Sequence, residues 1–297
     1  MTKEARRTAE RTGDDAFQLA GHRMDGITAM YDGSFIEASH EFETILSLYD
    51  PDRHRPPPVL YIHDPKISAL AYLAILKWIL GQSDTARGLA IEALRYAEEL
   101  KQANLTAHVR TYAGAGLHEL LGETSAVRRH ADAIVALADQ HSLHYWRLNG
   151  LFLRGWAIAQ GASVEEGLAV MRQNLRARSA LGVSWYHVRY LCMLATTLQK
   201  SGAAESALAV VAEAKDQAAC HCEHMWDAEV ERIEAEMLEV CARSTVECEA
   251  RFQSALATAR SPKLSKAKRC AELERLGALT FNTRDLTQAR QLLDKLH

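Results

Sequence analysis

Small and apolar positions recur along this chain in one arrangement. Counted from the turn glycine Gly33, Ala38 stands five residues on, Phe42 nine on and Ile45 twelve on. The same set follows Gly81 (Ala86, Ala90, Ala93), Gly122 (Val127, Ala131, Ile134) and Gly202 (Ala207, Val211, Ala214). With one extra residue in the turn it follows Gly161 as Gly167, Met171 and Asn174. Two copies lack the glycine: Cys248, Phe252, Ala255 and Ala289, Leu293, Leu296. Small and large residues at this spacing share one helical face, so a second helix can close on the first. A period of about 40 residues marks an array of helix pairs.

The pattern predicts paired helices over 15–31 and 36–48, 65–80 and 83–102, 106–121 and 125–141, and 144–160 and 164–181. It continues with 184–200 and 204–219, 224–242 and 245–260, and 265–280 and 285–296. The expected fold is all-α: a right-handed superhelical, tetratricopeptide-like α-solenoid of about seven helix pairs, each burying its stripe on its neighbours. The period exceeds the usual 34 of such repeats, consistent with helices about a turn longer; HEAT-type repeats are the alternative. One repeat domain over 1–297 is expected, with 1–14 as a capping or remnant helix.

The stretch 49–64 breaks the rhythm. It is a long connection holding Pro56, Pro57 and Pro58 in a row, followed by a sharply signalled helix start. Asp64 can cap free N–H groups, and Pro65 sits where a missing N–H costs nothing.

Composition narrows the class. Hydrophobic residues make up 48% of the sequence and the formal net charge is −3, so nothing global points to nucleic acid or a bilayer surface. No apolar run is long enough to span a membrane, and the charged N-terminus lacks a signal-peptide core, so a cytoplasmic location is the default expectation. Cys192, Cys241, Cys248 and Cys270 fall inside helical patterns, where thiols act as small apolar groups.

Several stretches resemble the helical repeat region of bacterial signalling proteins that join a class III adenylate/guanylate cyclase domain, an AAA-type ATPase module and tetratricopeptide-like repeats. The matching residues are Tyr49, Asp50, Pro51, Arg53, His54, Tyr61, Asp64, Pro65, Trp78, Leu80 and Gly81. The runs LRGWAIAQG with Trp156, MWDAEVER with Trp226 and Glu229, and FNTRDLTQARQLLDKL add to it. PPPVL is less apolar than the family's segment, and the loop before the last helix is shorter. The resemblance implies a regulatory or scaffolding part. The family's catalytic chemistry does not carry over, because the sequence has no G-x-x-x-x-G-K-[ST] loop and no room for a cyclase domain.

Candidate sites fall in three places. In tetratricopeptide folds the first helix of each pair lines the concave surface. Counting back ten, six and three residues from each turn gives Arg23, Ile27, Met30; Ala71, Ile75, Trp78; Tyr112, Gly116, Glu119; Leu151, Gly155, Ile158; and Cys192, Thr196, Gln199. Arg23, Trp78, Tyr112 and Glu119 are the partner-binding candidates on this face, which suits a protein or peptide segment. The Lys/Asn set that clamps a C-terminal carboxylate is absent from these positions. The second candidate is the loop group Arg53, His54, Tyr61, His63 and Asp64. Its plain role is capping and packing, and its sharper one is holding a small anionic ligand.

The third candidate, Cys220, Cys222 and His224, has zinc-type donors but no second pair at a recognised interval, so no metal or other cofactor is assigned. HELLG at His118–Gly122 lacks the second His of a zinc-protease helix. Lys263, Lys266, Lys268 and Arg269 form a basic patch best explained as a solvated face. The expected function is therefore a non-catalytic interaction or regulatory module. The alternative is a small-molecule sensor with its ligand in the concavity beside 49–64.

Overall fold

A computed structural model describes residues 15–54, 64–161, 163–241 and 245–260. Every regular element in these segments is helical. The first two pairs are α1 (Asp15–Tyr31) with α2 (Phe35–Leu48), and α4 (Pro65–Ile79) with α5 (Ser83–Leu100), a short α3 (Pro51–His54) lying between them. The first helix of the third pair runs as α6 (Ala103–Val109), a π-helical segment (Arg110–Gly116) and α7 (Leu117–Leu120), and α8 (Thr124–His141) follows. Then come α9 (His144–Ala159) with α10 (Val164–Ala180), α11 (His187–Lys200) with α12 (Ala204–His221), and a 3-10 turn (His224–Trp226) leading into α13 (Asp227–Val240) with α14 (Thr245–Ala259). The fold is all-α and tetratricopeptide-like, and six of the seven expected pairs lie in the described residues. The stretches 1–14 and 261–297, where the capping helix, the basic patch and the seventh pair were expected, lie outside them.

The repeating set is the packing seam. All of its members from Ala38 to Ala255 are buried, including Gly167 and Asn174, whose side-chain amide donates to the Val170 carbonyl at 2.8 Å. Gly167 is the tightest point, since a Cβ there would lie 2.5 Å from both the Ala159 Cβ and the Gly155 carbonyl oxygen. The turns repeat as faithfully. Gly33, Gly81, Gly122 and Gly202 have φ between 75° and 80°, which only glycine adopts freely. The next N–H reaches back five residues in each: Ser34 to Ala29, Gln82 to Lys77, Glu123 to His118 and Ala203 to Leu198. This is the Schellman closure of a helix end.

The chain forms two compact units. One holds the residues up to Met30 with Ser34–Gly150, and the other holds Tyr31–Gly33 with the residues from Leu151 on. In the first, α4 packs on α5, on α2 and on the π-helical segment; in the second, α11 packs on α12 and α13 on α14. Among the described residues no helix is long and apolar enough to cross a membrane.

Candidate functional site

In the first unit, Arg23 lies on α1, Ser68 and Tyr72 on α4, His108 on α6, Tyr112 in the π-helical segment, and Tyr145 and Trp146 on α9. First helices of four successive pairs therefore bring these side chains to one face. Ser68 and Tyr72 are four residues apart on one side of α4. Tyr72 rests on Tyr112 and His108 at centroid distances of 5.5 and 5.4 Å. His108 meets Tyr112 edge-on at 5.0 Å and stacks on Trp146 at 5.7 Å. Trp146 contacts Tyr145 at 4.7 Å, and its indole N–H donates to the Asn104 side-chain oxygen at 2.6 Å. The hydroxyls of Tyr112 and Tyr145 are 3.4 Å apart. Such tilted and edge-to-face pairs add about 0.5–1.5 kcal/mol each beyond burial, so the row is rigid.

At one end of the row Arg23 donates from Nε to the Ser68 hydroxyl at 3.1 Å. Burial lowers the guanidinium pKa, with the nearby Tyr72 phenol acting the other way. Burial likewise raises the Tyr72 phenol, opposed by Arg23. Tyr72, His108, Tyr112 and Trp146 are 1–5% exposed, so the row is a buried aromatic core, and Arg23 and Tyr145 are its half-buried ends.

Two of the expected lining residues, Arg23 and Tyr112, belong to this cluster. Trp78 is 7% exposed and makes no ring contact with another aromatic side chain among the described residues, so it is packed as core. Glu119 is half-buried in the last turn before Gly122. Gly155, expected on the lining, faces its partner helix: a Cβ there would lie 2.9 Å from Val170 Cγ1 and 3.1 Å from the Gly167 carbonyl. Ser68, Tyr72, His108, Tyr145 and Trp146 were not anticipated. Most lie one or two turns nearer the starts of their helices than the counting reached. Extending the count by a turn or two was the available signal.

The described members of the loop group have partners within the chain. Arg53 pairs with Asp15 at 2.5 Å. His54 accepts the Asp50 N–H at Nδ1 (2.9 Å), which leaves Nε2 3.7 Å from the Asp15 carboxylate. Asp15 is thus the anion beside Arg53 and His54 among the described residues. Asp64 is fully buried and accepts from the Ile67 N–H at 2.9 Å, from Tyr49 at 2.9 Å and from Tyr96 at 3.4 Å. Burial nonetheless raises its pKa. Tyr61 and His63 lie outside the described residues.

The second unit holds a separate polar core. Cys220 and Cys222 are exposed, and His224 Nδ1 sits 2.9 Å from Asp227. Among the described residues no group of three His, Cys, Asp or Glu is placed to hold a metal ion. Between these residues Glu223 turns inward, 1% exposed, and accepts the backbone N–H groups of Val188 and His187 at the start of α11. Its Oε1 has no hydrogen-bond partner among the described residues, and burial pushes the carboxyl up to about 8. Burial pushes the neighbouring His187 down to about 4, helped by the charge of Arg178. Arg178 donates to the Trp185 carbonyl at 2.6 Å. Nearby, Arg232 grips Glu229 through two bonds of 2.8 and 2.9 Å, and Arg189 lies 3.5 Å from the same carboxylate. Burial alone would raise Glu229, but Arg232 and Arg189 outweigh it and hold it low.

No protein-family model matches the chain. An uncharacterized protein of Rhizobium meliloti (strain 1021) is 28% identical over 209 residues, which are 68% of this chain and 20% of that protein. The chain thus spans about a fifth of the length of the curated relative it matches. Among solved structures, the apo form of RapI superposes with a TM-score of 0.51 at 12% identity, covering 93% of this chain and 99% of RapI. That likeness is one of fold.

Proposed function

We propose that the chain is a non-catalytic interaction and regulatory module that receives a protein or peptide segment on the first-helix face of its first unit. The observation that carries this reading is the pair of half-buried side chains, Arg23 and Tyr145, held on the first helices of the first and fourth pairs by the buried row of Tyr72, His108, Tyr112 and Trp146 between them. A rigid buried row pre-organises the half-buried side chains at its edge, which lowers the entropic cost of holding an extended segment there. The quoted resemblance extends the proposal to kinship with the repeat region of cyclase–ATPase signalling proteins. The Rhizobium protein, about five times as long as the stretch it shares, is in keeping with a repeat module found within larger chains.

The test is binding of a random-sequence peptide array to the full chain, followed by Tyr145→Ala. Tyr145 is only half-buried, so its truncation should weaken the best peptides about tenfold or more while the melting temperature stays near that of the wild type. Peptides that bind the variant as tightly as the wild type would remove this face from consideration. ATP hydrolysis or cyclic-nucleotide synthesis that follows the protein peak through repurification would overturn the non-catalytic reading.

A further inference from the structure

The face described above carries one charge that the fold leaves unanswered. In the first unit Arg53, Arg87, Arg95, Arg110, Arg128 and Arg147 each pair with an Asp or Glu. Arg23 is half-buried and has no such partner among the described residues, and its one hydrogen bond there goes to the neutral Ser68 hydroxyl. That bond uses Nε, so both terminal amino groups of the guanidinium fork remain as donors. The Tyr72 hydroxyl, close enough to Arg23 to interact with it electrostatically, also makes no hydrogen bond among the described residues. Taking a guanidinium partly out of water without a counter-ion is costly, and an incoming anion recovers that cost.

We propose that Arg23 is an anchor for a carboxylate on the bound peptide segment, with the guanidinium fork taking the carboxylate and the Tyr72 hydroxyl donating beside it. This rests on the reading of the first-helix face as a peptide site. The charge fits a carboxylate better than a phosphate: one guanidinium matches a monoanion, whereas a phosphate dianion in a half-buried place calls for a cluster of arginines. The occupant is an extended segment because the half-buried side chains at the two ends of the row, Arg23 and Tyr145, lie on the first helices of the first and fourth pairs. A compact ligand would use one end of it.

The experiment uses the full chain and a peptide array synthesised twice, once with its Asp, Glu and C-terminal carboxylates and once with the matching amides. The best acid-form peptides should bind the wild type about tenfold to a hundredfold more tightly than their amide twins. Arg23→Gln should erase that preference while leaving the amide forms at their wild-type affinity. The acid–amide comparison on the wild type stands alone if Arg23→Gln does not fold. Peptides that bind with no preference for the acid form would overturn the Arg23 anchor but leave the peptide reading standing. An acid preference that survives in Arg23→Gln would do the same. An array with no binders at all would overturn both.

Discussion

Each compact unit buries a carboxylate where a first helix begins, Asp64 in one and Glu223 in the other, and the fold answers the two differently. Asp64 caps its own helix, three residues from the N–H it accepts, and two tyrosine hydroxyls complete its shell. Glu223 follows α12 and reaches back to cap α11, leaving one oxygen without a partner among the described residues. Burial raises both carboxyls, and it takes Glu223 to about 8, within the range where a cell's pH acts on it. A buried carboxylate with enough donors is a structural pin. One with too few is a group whose protonation the fold must accommodate.

The largest effect should follow from removing the pin. Asp64→Ala strips the α4 cap and strands the Ile67 N–H and the Tyr49 hydroxyl in the interior. A loss of about 3 kcal/mol is expected, from one cap and the buried donors it served. Asp64→Asn keeps an acceptor for Ile67 and should lose less. Denaturant unfolding of both variants measures this. A loss under 1 kcal/mol in Asp64→Ala would mean that the tyrosine pair, whose hydroxyls are 2.8 Å apart, satisfies itself and that Asp64 is no pin.

Glu223 should show itself in the pH dependence of stability. Its folded pKa of about 8 lies above the ordinary glutamate value, so the folded state holds a proton that the unfolded chain has released. Its contribution is fully present below about pH 4.5 and is lost as pH rises through 8, with a slope of up to about 1.4 kcal/mol per pH unit. His130 and His187, both pushed down to about 4 chiefly by burial, act with the opposite sign. They add stability as pH rises from about 4 to 6.5 and nothing above it. Above about 6.5 these two histidines no longer act, so the decline up to about 8 is where Glu223 shows itself. Glu223→Gln should flatten the decline there, losing about 2 kcal/mol less than the wild type between about pH 6.5 and 8. Parallel profiles for the two proteins would place Glu223 among ordinary, solvated carboxylates.

The same contrast separates what the sequence discloses from what it conceals. The Asp64–Pro65 start, the small-residue seam and the glycine turns are local, each set by residues within about one turn of one another, so pattern alone locates them. The cap from Glu223 spans most of a repeat, and nothing adjacent to it announces a partner. The first-helix face was half legible. Arg23 and Tyr112 fall on the expected positions, but the row extends past the counted turns. The π-helical segment adds residues per turn between His108 and the Gly122 marker. Trp78 illustrates the remaining ambiguity, since an aromatic residue on an apolar face has the same spacing whether it is core or lining. A second set of turns was hidden altogether. Lys101, Ser142, Gly182 and Cys222 follow one another at about 40 residues. All four have φ between 52° and 67°, yet only one is glycine.

Those hidden turns supply the smallest test of the comparison. Ser142 (φ 56°) ends α8 in the first unit and Cys222 (φ 52°) ends α12 in the second, immediately before Glu223. In both turns the next N–H bonds back five residues, Leu143 to Ala138 at 2.9 Å and Glu223 to Ala218 at 3.0 Å. A left-handed conformation strains any residue with a Cβ, and glycine relieves that strain while adding freedom to the unfolded chain. Ser142→Gly should therefore raise stability by about 0.5 kcal/mol. Cys222→Gly should give the same gain, because the exposed thiol contributes no packing and the backbone bond that aims Glu223 is untouched. Thermal unfolding of the two variants near pH 6, where Glu223 is protonated in the folded chain, puts them on equal footing. A gain at Ser142 with a loss at Cys222 would show that the Cys222 Cβ restricts the turn that delivers Glu223 to α11. The second unit's cap would then depend on backbone stiffness that the first unit, with its cap next to its own helix, does not need.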